Sequence, residues 1–346
     1  MEVGIYTFAD VATHPITKKH ITPYQRLANL MEEIVLADQV GLDMFAVGEH
    51  HRPDYAVSAP AVILGAAAVK TTQIRLSSAV TVLSSDDPVR VFQQYATVDL
   101  LSGGRAEIMA GRGSFIESFP LFGYDLKDYD KLFSEKLEML MQLNENEVIT
   151  WKGTFTQTID HLGVYPRPLQ KKLPLWVGVG GTPESVVRAA KFGLPMALAI
   201  IGGNPARFSP YTDLYRDEYK KAGHDMKDIQ LGINSHVFIA DTSQQARDEF
   251  YPPYAAVMDQ IGKERGWPGM NRQQFDASTG PGGALLVGSP QEVIDKILYE
   301  HQLFGQTRFL AQMSLGAMPH DKILHAIELL GTKVAPEVKK YTHVKT

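Results

Sequence analysis

The sequence predicts an α/β fold, a (β/α)8 TIM barrel with insertions after strands 4 and 7. Three observations predict it. Short apolar runs alternate with longer helical patterns over nearly the whole chain, and such alternation requires parallel strands joined by helical crossovers. Eight runs qualify as strands, which suits a closed barrel better than an open sheet. A chain of 346 residues exceeds the usual single core, but barrels with insertions reach this length as one domain.

Residues 3–8 read as the first strand. The first helix begins at Thr22-Pro23-Tyr24-Gln25, where Thr22 caps, Pro23 suits the first turn and Gln25 completes a capping box. Leu27, Leu30, Met31, Ile34 and Ala37 follow as one apolar stripe, and Gly41 ends it. Residues 43–47 form the second strand, 59–70 the second helix, and the third strand lies within 74–83. Asp87-Pro88 opens a helix carrying Val91, Tyr95, Val98 and Leu101, stopped by Gly103-Gly104. Residues 105–110 are the fourth strand, followed by a helix over 126–144. The fifth, sixth, seventh and last strands fall at 173–179, 194–201, 230–240 and 306–312. Thr182-Pro183, Asn204-Pro205 and Thr242 begin helices between them, Ser289-Pro290-Gln291-Glu292 reads as a full capping box, and 320–330 is the last helix.

Two stretches break the alternation. Residues 150–167 alternate aromatic, apolar and polar side chains around Gly153 and Gly163, which predicts an extra hairpin. Residues 262–283 are polar and glycine-rich, which predicts a long loop, and both stretches are candidate lids. One domain is expected over 1–336, with insertions at about 113–172 and 262–285 and a charged, frayed tail at 337–346.

Composition excludes several functions. A net charge of -5 provides neither a basic field for nucleic acid nor a polybasic patch for an acidic membrane. With no cysteine there are no disulfides, thiolate metal sites or cysteine nucleophile. The longest apolar stretch, 59–69, is far short of the ~20 residues that span a bilayer, and the N-terminus has no basic leader, so the cytoplasm is the expected location.

The candidate chemistry clusters just past the strand ends, where a barrel places its active site. Gly48-Glu49-His50-His51 follows the second strand, and His50 titrates near neutrality when unperturbed, so it suits acid or base work; the plainer reading is a solvated polar loop. Neighbouring His50 and His51 point to opposite faces of an extended segment, and no metal site is expected. After the fourth strand, Gly111-Arg112-Gly113 pairs an arginine fork with glycines that allow close approach, or is a tight turn with a surface arginine. Gly178-Val179-Gly180-Gly181-Thr182 opens a helix and can present free N–H groups to an anion, though ordinary turn and cap chemistry would look alike. Together with Arg112 it points to phosphate.

These segments, with Ala79-Val80-Thr81-Val82-Leu83 through Pro88-Val89-Arg90 and Gly288-Ser289-Pro290-Gln291-Glu292-Val293, resemble in their joint order the bacterial luciferase-like flavin monooxygenase family, from Val3 to about Val334. The resemblance implies the same barrel and an FMN site. It implies a cis peptide between Ala79 and Val80 behind the flavin ring, a phosphate held by Arg112 and the N–H groups of Gly180, Gly181 and Thr182, Glu49 supporting the strand end, and His50 acting at the reacting edge. It also implies oxygenation of a small organic substrate by O2 and reduced FMN drawn from a separate flavin reductase, in a homodimer. The alternatives are a dehydrogenase or reductase using a deazaflavin coenzyme, and a flavin-binding protein without turnover. Gly111 departs from the luciferases themselves, which carry cysteine there, and this speaks against light emission with an aldehyde.

Overall fold

Hydroxyl and proline starts and glycine stops cut the chain where the sequence marks them. The computed structural model describes residues 1–342. In chain order the elements are β1 (Glu2–Thr7), α1 (Pro23–Gln39), β2 (Met44–Val47), α2 (Pro60–Ala68), β3 (Arg75–Ser78), the short β4 (Thr81–Val82), α3 (Pro88–Ser102) and β5 (Ala106–Gly111). Then come α4 (Ser118–Phe122), α5 (Tyr129–Glu145), β6 (Val148–Trp151), β7 (Ile159–Gly163), β8 (Leu175–Val179), α6 (Pro183–Lys191), β9 (Met196–Ile200) and α7 (Ser209–Lys221). The last are β10 (Leu231–Ile239), α8 (Ser243–Arg265), α9 (Arg272–Thr279), β11 (Leu286–Gly288), α10 (Pro290–Phe304), β12 (Arg308–Gln312), α11 (His320–Leu329) and α12 (Ala335–Thr342).

Among the described residues, eight parallel strands close into a barrel in the order β1, β2, β3, β5, β8, β9, β10, β12, and β12 returns to β1 with Gly4 opposite Leu310. β4 extends the line of β3 along β5, and β11 adds to the far end of β10. The strands are buried on both faces, which is why they read as unbroken apolar runs.

Inside the barrel, Tyr6, Met44, Met109, Trp176, Ala197 and Leu310 pack together. Beneath them, at the strand starts, lies an ionic layer, buried at Arg308 and Glu107 and half-buried at Arg75 and Glu2. Arg308 contacts Glu107 at 2.9 Å and Glu2 at 2.7 Å, Arg75 contacts Glu107 at 2.9 Å and also Glu2, and the Arg308 guanidinium sits 4.0 Å from the Trp176 ring centre. Charges this deep persist only when paired. The floor is therefore plugged, and only the end carrying the strands' C-termini can be open.

The third strand breaks after Ser78 at the cis peptide between Ala79 and Val80 that the resemblance implies, before β4 resumes. Other expectations change. Two capping boxes are only half formed. Thr22 accepts from Gln25 N but the Gln25 side chain turns to Asn29, and Ser289 accepts from Glu292 N while Glu292 turns to Arg247. The complete box is Asn271 with Gln274, inside the stretch 262–283 that the sequence presents as loop. That stretch is mostly helix: α8 continues through Gly262 to Arg265, where Trp267 folds back over Gly262, and α9 follows. The predicted tail is also mostly ordered. α12 buries Val338, Lys339 bonds Asp43 at 2.8 Å and Thr342 bonds the N-terminal amine; residues 343–346 lie outside the described residues.

Candidate functional site

The open end of the barrel is floored by small side chains. Ala46, Gly111 and Gly178 occupy the upper inward positions of β2, β5 and β8, and Ala79 follows the end of β3. The Val80 side chain rises between two of these strands, so a Cβ on Gly178 would lie 2.7 Å from Val80 Cγ1, and one on Gly111 would also collide with Val80. A Cβ on Gly48 would meet Ala79 O at 2.8 Å. Glycine is used here because the cis Ala79–Val80 bulge leaves no room for anything larger. The result is a flat shelf suited to a planar ring.

Glu49, next to the end of β2, is buried and holds two elements together. One carboxylate oxygen accepts from Val82 N at 2.9 Å and the other meets His51 Nε2 at 2.8 Å. His50 follows with 8% of its surface exposed, its ring 4.4 Å from Phe8, 4.4 Å from Tyr55 and 4.9 Å from Phe115. Burial, with Arg52 and His51 nearby, pushes the imidazole down to about 3, so His50 is neutral at physiological pH. It can accept a proton or share one from a ring N–H, but it is not a ready cationic acid.

Arg112, just past β5, reaches Thr182 Oγ1 at 2.9 Å and Asp130 at 2.6 Å, and stacks 5.0 Å from the Tyr129 ring centre. Thr182 is also 2.8 Å from Ser185 Oγ at the start of α6. Arg188, one turn on, shares Asp130 at 3.5 Å and leaves its buried Nη1 without a partner. The space where side chains of Gly180 and Gly181 would sit is open, and Gly181 has a φ of +100°. Two guanidinium groups, two hydroxyls and a helix start thus converge on one spot, a donor set for a dianion. The sequence points to Arg112 and Thr182; Asp130, Ser185 and Arg188 join them only through folding. The helical spacing from Thr182 to Ser185 and Arg188 is the signal that could have found the latter two.

The other side of the mouth is roofed by the second half of α8, which crosses to the loops after β2 and β5. Arg52 meets Glu264 at 2.6 Å, Asp54 at 3.2 Å and Glu117 at 3.0 Å, and Arg265 bonds Ser114 O at 3.2 Å. The hairpin β6–β7 does not reach this mouth. It lies along the barrel's flank, with Glu135 of α5 receiving the N–H groups of Phe155 and Thr156 and Gln93 of α3 bonding Tyr165 O. Under α8 a cavity of about 290 Å³ opens beside Asp10 and Tyr55.

Comparison with known proteins identifies the family and repeats the fold. Residues 1–307 match the family model described as luciferase-like monooxygenase. Limonene 1,2-monooxygenase of Rhodococcus erythropolis is 25% identical over 317 residues, covering 88% of this chain and 80% of that one. The monooxygenase RslO1 of Streptomyces bottropensis superposes with a TM-score of 0.83 at 24% identity, covering 97% of this chain and 99% of that one. The oxygenating constituent of 3,6-diketocamphane monooxygenase of Pseudomonas putida, solved with FMN, gives 0.77 at 19% identity over 97% and 98%. The same fold occurs in an F420-dependent secondary alcohol dehydrogenase, with a TM-score of 0.75, 16% identity and coverage of 97% and 98%.

Proposed function

Because the chain belongs to the luciferase-like monooxygenase family, we propose that it is an FMN-dependent monooxygenase acting on a small organic substrate. The observation that carries the choice of cofactor is the convergence of Arg112, Thr182, Ser185 and Arg188 on one spot beside the open glycines 180 and 181. It suits a terminal phosphate, and the shelf of Ala46, Ala79, Gly111 and Gly178 lies where the attached ring would rest. Reduced FMN, when bound, supplies the two electrons that activate O2, so that one oxygen atom enters the substrate and the other leaves as water.

The chain's own residues do the rest. Arg112, Thr182 and the N–H groups of Gly180, Gly181 and Thr182 hold the phosphate. The Val80 bulge, braced by Glu49 through Val82 N, supports the ring from below. His50 holds or takes up a proton at a ring nitrogen beside the reacting edge, its neutral state set by burial. Phe8, Tyr55 and Phe115 around it, with α8 above, exclude water. Among the described residues no helix is long and apolar enough to cross a membrane. The reading includes a cytoplasmic location, reduced FMN drawn from a separate reductase, and a homodimer; Val62 on α2 and Leu101 on α3, 69% and 51% exposed on two packed helices, support the last.

The test is titration of the purified protein with FMN, riboflavin and coenzyme F420, each oxidised and reduced, followed by fluorescence. Tightest binding by reduced FMN, with oxygen consumption on mixing, is the expected result. Preference for F420 would move the function to hydride transfer, and binding of neither would overturn the reading.

A further inference from the structure

The arginines beside Gly180 and Gly181 already share an anion that belongs to the chain itself. Asp130, in the first turn of α5, places one carboxyl oxygen, Oδ1, 2.6 Å from Arg112 Nη1 and 3.5 Å from Arg188 Nη2. An anionic oxygen between two guanidinium groups is what a bound phosphate would supply.

Of the three groups, the carboxylate is the one able to leave. The Asp130 side chain is 63% exposed, whereas Arg112 and Arg188 are 20% and 13% exposed. Arg112 also has other anchors. Its Nη2 donates to Thr182 Oγ1 at 2.9 Å, and its guanidinium lies over the ring of Tyr129, whose hydroxyl donates to Gly113 O at 2.6 Å. Arg188 lies over the Phe133 ring, 5.3 Å from its centre. Burial first, and the Arg112 charge second, lower the Arg188 pKa, and Asp130 with the more distant Glu184 only partly offsets them. The cluster is short of negative charge.

We propose that Asp130 is a built-in competitor for the flavin phosphate: its carboxylate takes the place between Arg112 and Arg188 that a phosphate oxygen needs, and it weakens binding whether it swings out or stays. The identity of the ligand rests on the FMN reading above; the competition between anions does not.

Both routes have the same sign. If Asp130 swings out, its charge-assisted contacts with two arginines are given up. If it stays, its charge opposes a dianion close by. Leaving costs the fold little, because an exposed ion pair adds little to stability and Asp130 remains in the first turn of α5, where the helix dipole favours a negative charge. The consequence is exchange. A carboxylate that returns as the phosphate departs speeds release, and a flavin drawn reduced from a separate reductase has to leave after each turnover.

The experiment titrates FMN, riboflavin and inorganic phosphate into the full chain in phosphate-free buffer, reading flavin fluorescence for the first two and the thermal midpoint for the third. Asp130→Asn keeps an oxygen that can accept from Arg112 but carries no charge. It should bind FMN at least about threefold tighter than wild type and release it more slowly, with riboflavin within about twofold. Asp130→Ser should change in the same direction. Inorganic phosphate should raise the midpoint of Asp130→Asn more than that of wild type, and adding Arg112→Ala should erase the difference. Glu184→Gln removes a nearby charge that contacts neither arginine and should move FMN affinity by less than about twofold. A smaller gain or a loss of FMN affinity in Asp130→Asn, an equal gain for riboflavin, or an equal gain in Glu184→Gln overturns the proposal. If no chain prefers FMN to riboflavin but phosphate still stabilises Asp130→Asn more than wild type, the cofactor reading fails and the competition stands. If FMN binds through Arg112 with no gain in Asp130→Asn, the competition fails and the cofactor reading stands.

Discussion

Glu49, beside β2, accepts the N–H of Val82 at 2.9 Å and so fixes the far side of the cis Ala79–Val80 bulge to the loop that carries His50. A single buried carboxylate thereby sets both the shelf and the group beside it. Glu49→Ala leaves the Val82 N–H buried and unpaired and frees His51, at a cost of about 1–3 kcal/mol. Urea unfolding should show that loss together with weaker FMN binding. Glu49→Gln retains an acceptor for Val82 and should lose less of both.

Arg112→Ala removes a charged partner of the proposed phosphate while leaving the shelf intact. FMN affinity should fall by about 10- to 100-fold, the scale of a lost charge-assisted bond. Riboflavin, which lacks the phosphate, should change by less than about threefold. Equal losses for the two ligands would remove Arg112 from the phosphate site.

His50 is held neutral by burial, first of all, and by the charges of Arg52 and His51. Its folded value, about 3, lies below the ~6.5 of the unfolded chain, so the folded state binds fewer protons and stability falls as pH drops below about 6.5. The ring proton resonances of His50, identified by their loss in His50→Ala, should not titrate between pH 5 and 8. The same variant should keep FMN and lose about 10²-fold in turnover. Wild-type turnover would dismiss the residue from the reaction.

Asp10 runs the other way. Its carboxyl is raised from 3.8 to about 7, so its contribution is complete below pH 3.8 and is lost as pH rises through 7. Asp10→Asn carries no such charge. The difference in thermal midpoint, variant minus wild type, should become more positive from pH 5 to pH 8, by an amount on the order of 2–4 kcal/mol in stability. A difference independent of pH would show that Asp10 is ionised throughout.

Arg308→Met takes from the buried Glu107 one of its two arginine partners at the floor of the barrel and leaves Arg75. Breaking a buried pair from one side costs about 3–5 kcal/mol. Guanidinium unfolding should show that loss, and pairing the change with Glu107→Leu should recover part of it. The mouth is far from this layer, so FMN affinity in the folded variant should stay within about twofold.

Much of the barrel was legible in the chain because its signals are local. Thr22-Pro23, Asp87-Pro88 and Thr242 mark helix starts by chemistry that acts within one turn, and doubly buried strands such as Met44–Val47 show as apolar runs. Where a capping or turn signal faced a competing partner, the partner won. Gln25 and Glu292 left their boxes for Asn29 and Arg247, and Trp267 closed on Gly262 so that an apparent loop became the end of α8. The tail offered Val338 to the core although its neighbours are charged.

The candidate site divides along the same line. The sequence alone determined that Glu49, His50, Arg112 and the glycines 180 and 181 stand just past strand ends, because strand periodicity and turn chemistry are written within a few residues. Only the tertiary structure decided that Arg188 and Asp130 join Arg112, that α8 rather than the β6–β7 hairpin roofs the mouth, and that Asp10 is buried with one oxygen unpaired. Those relationships join residues as far apart as Arg52 and Glu264, and closure of the barrel is what brings them within a hydrogen bond of each other.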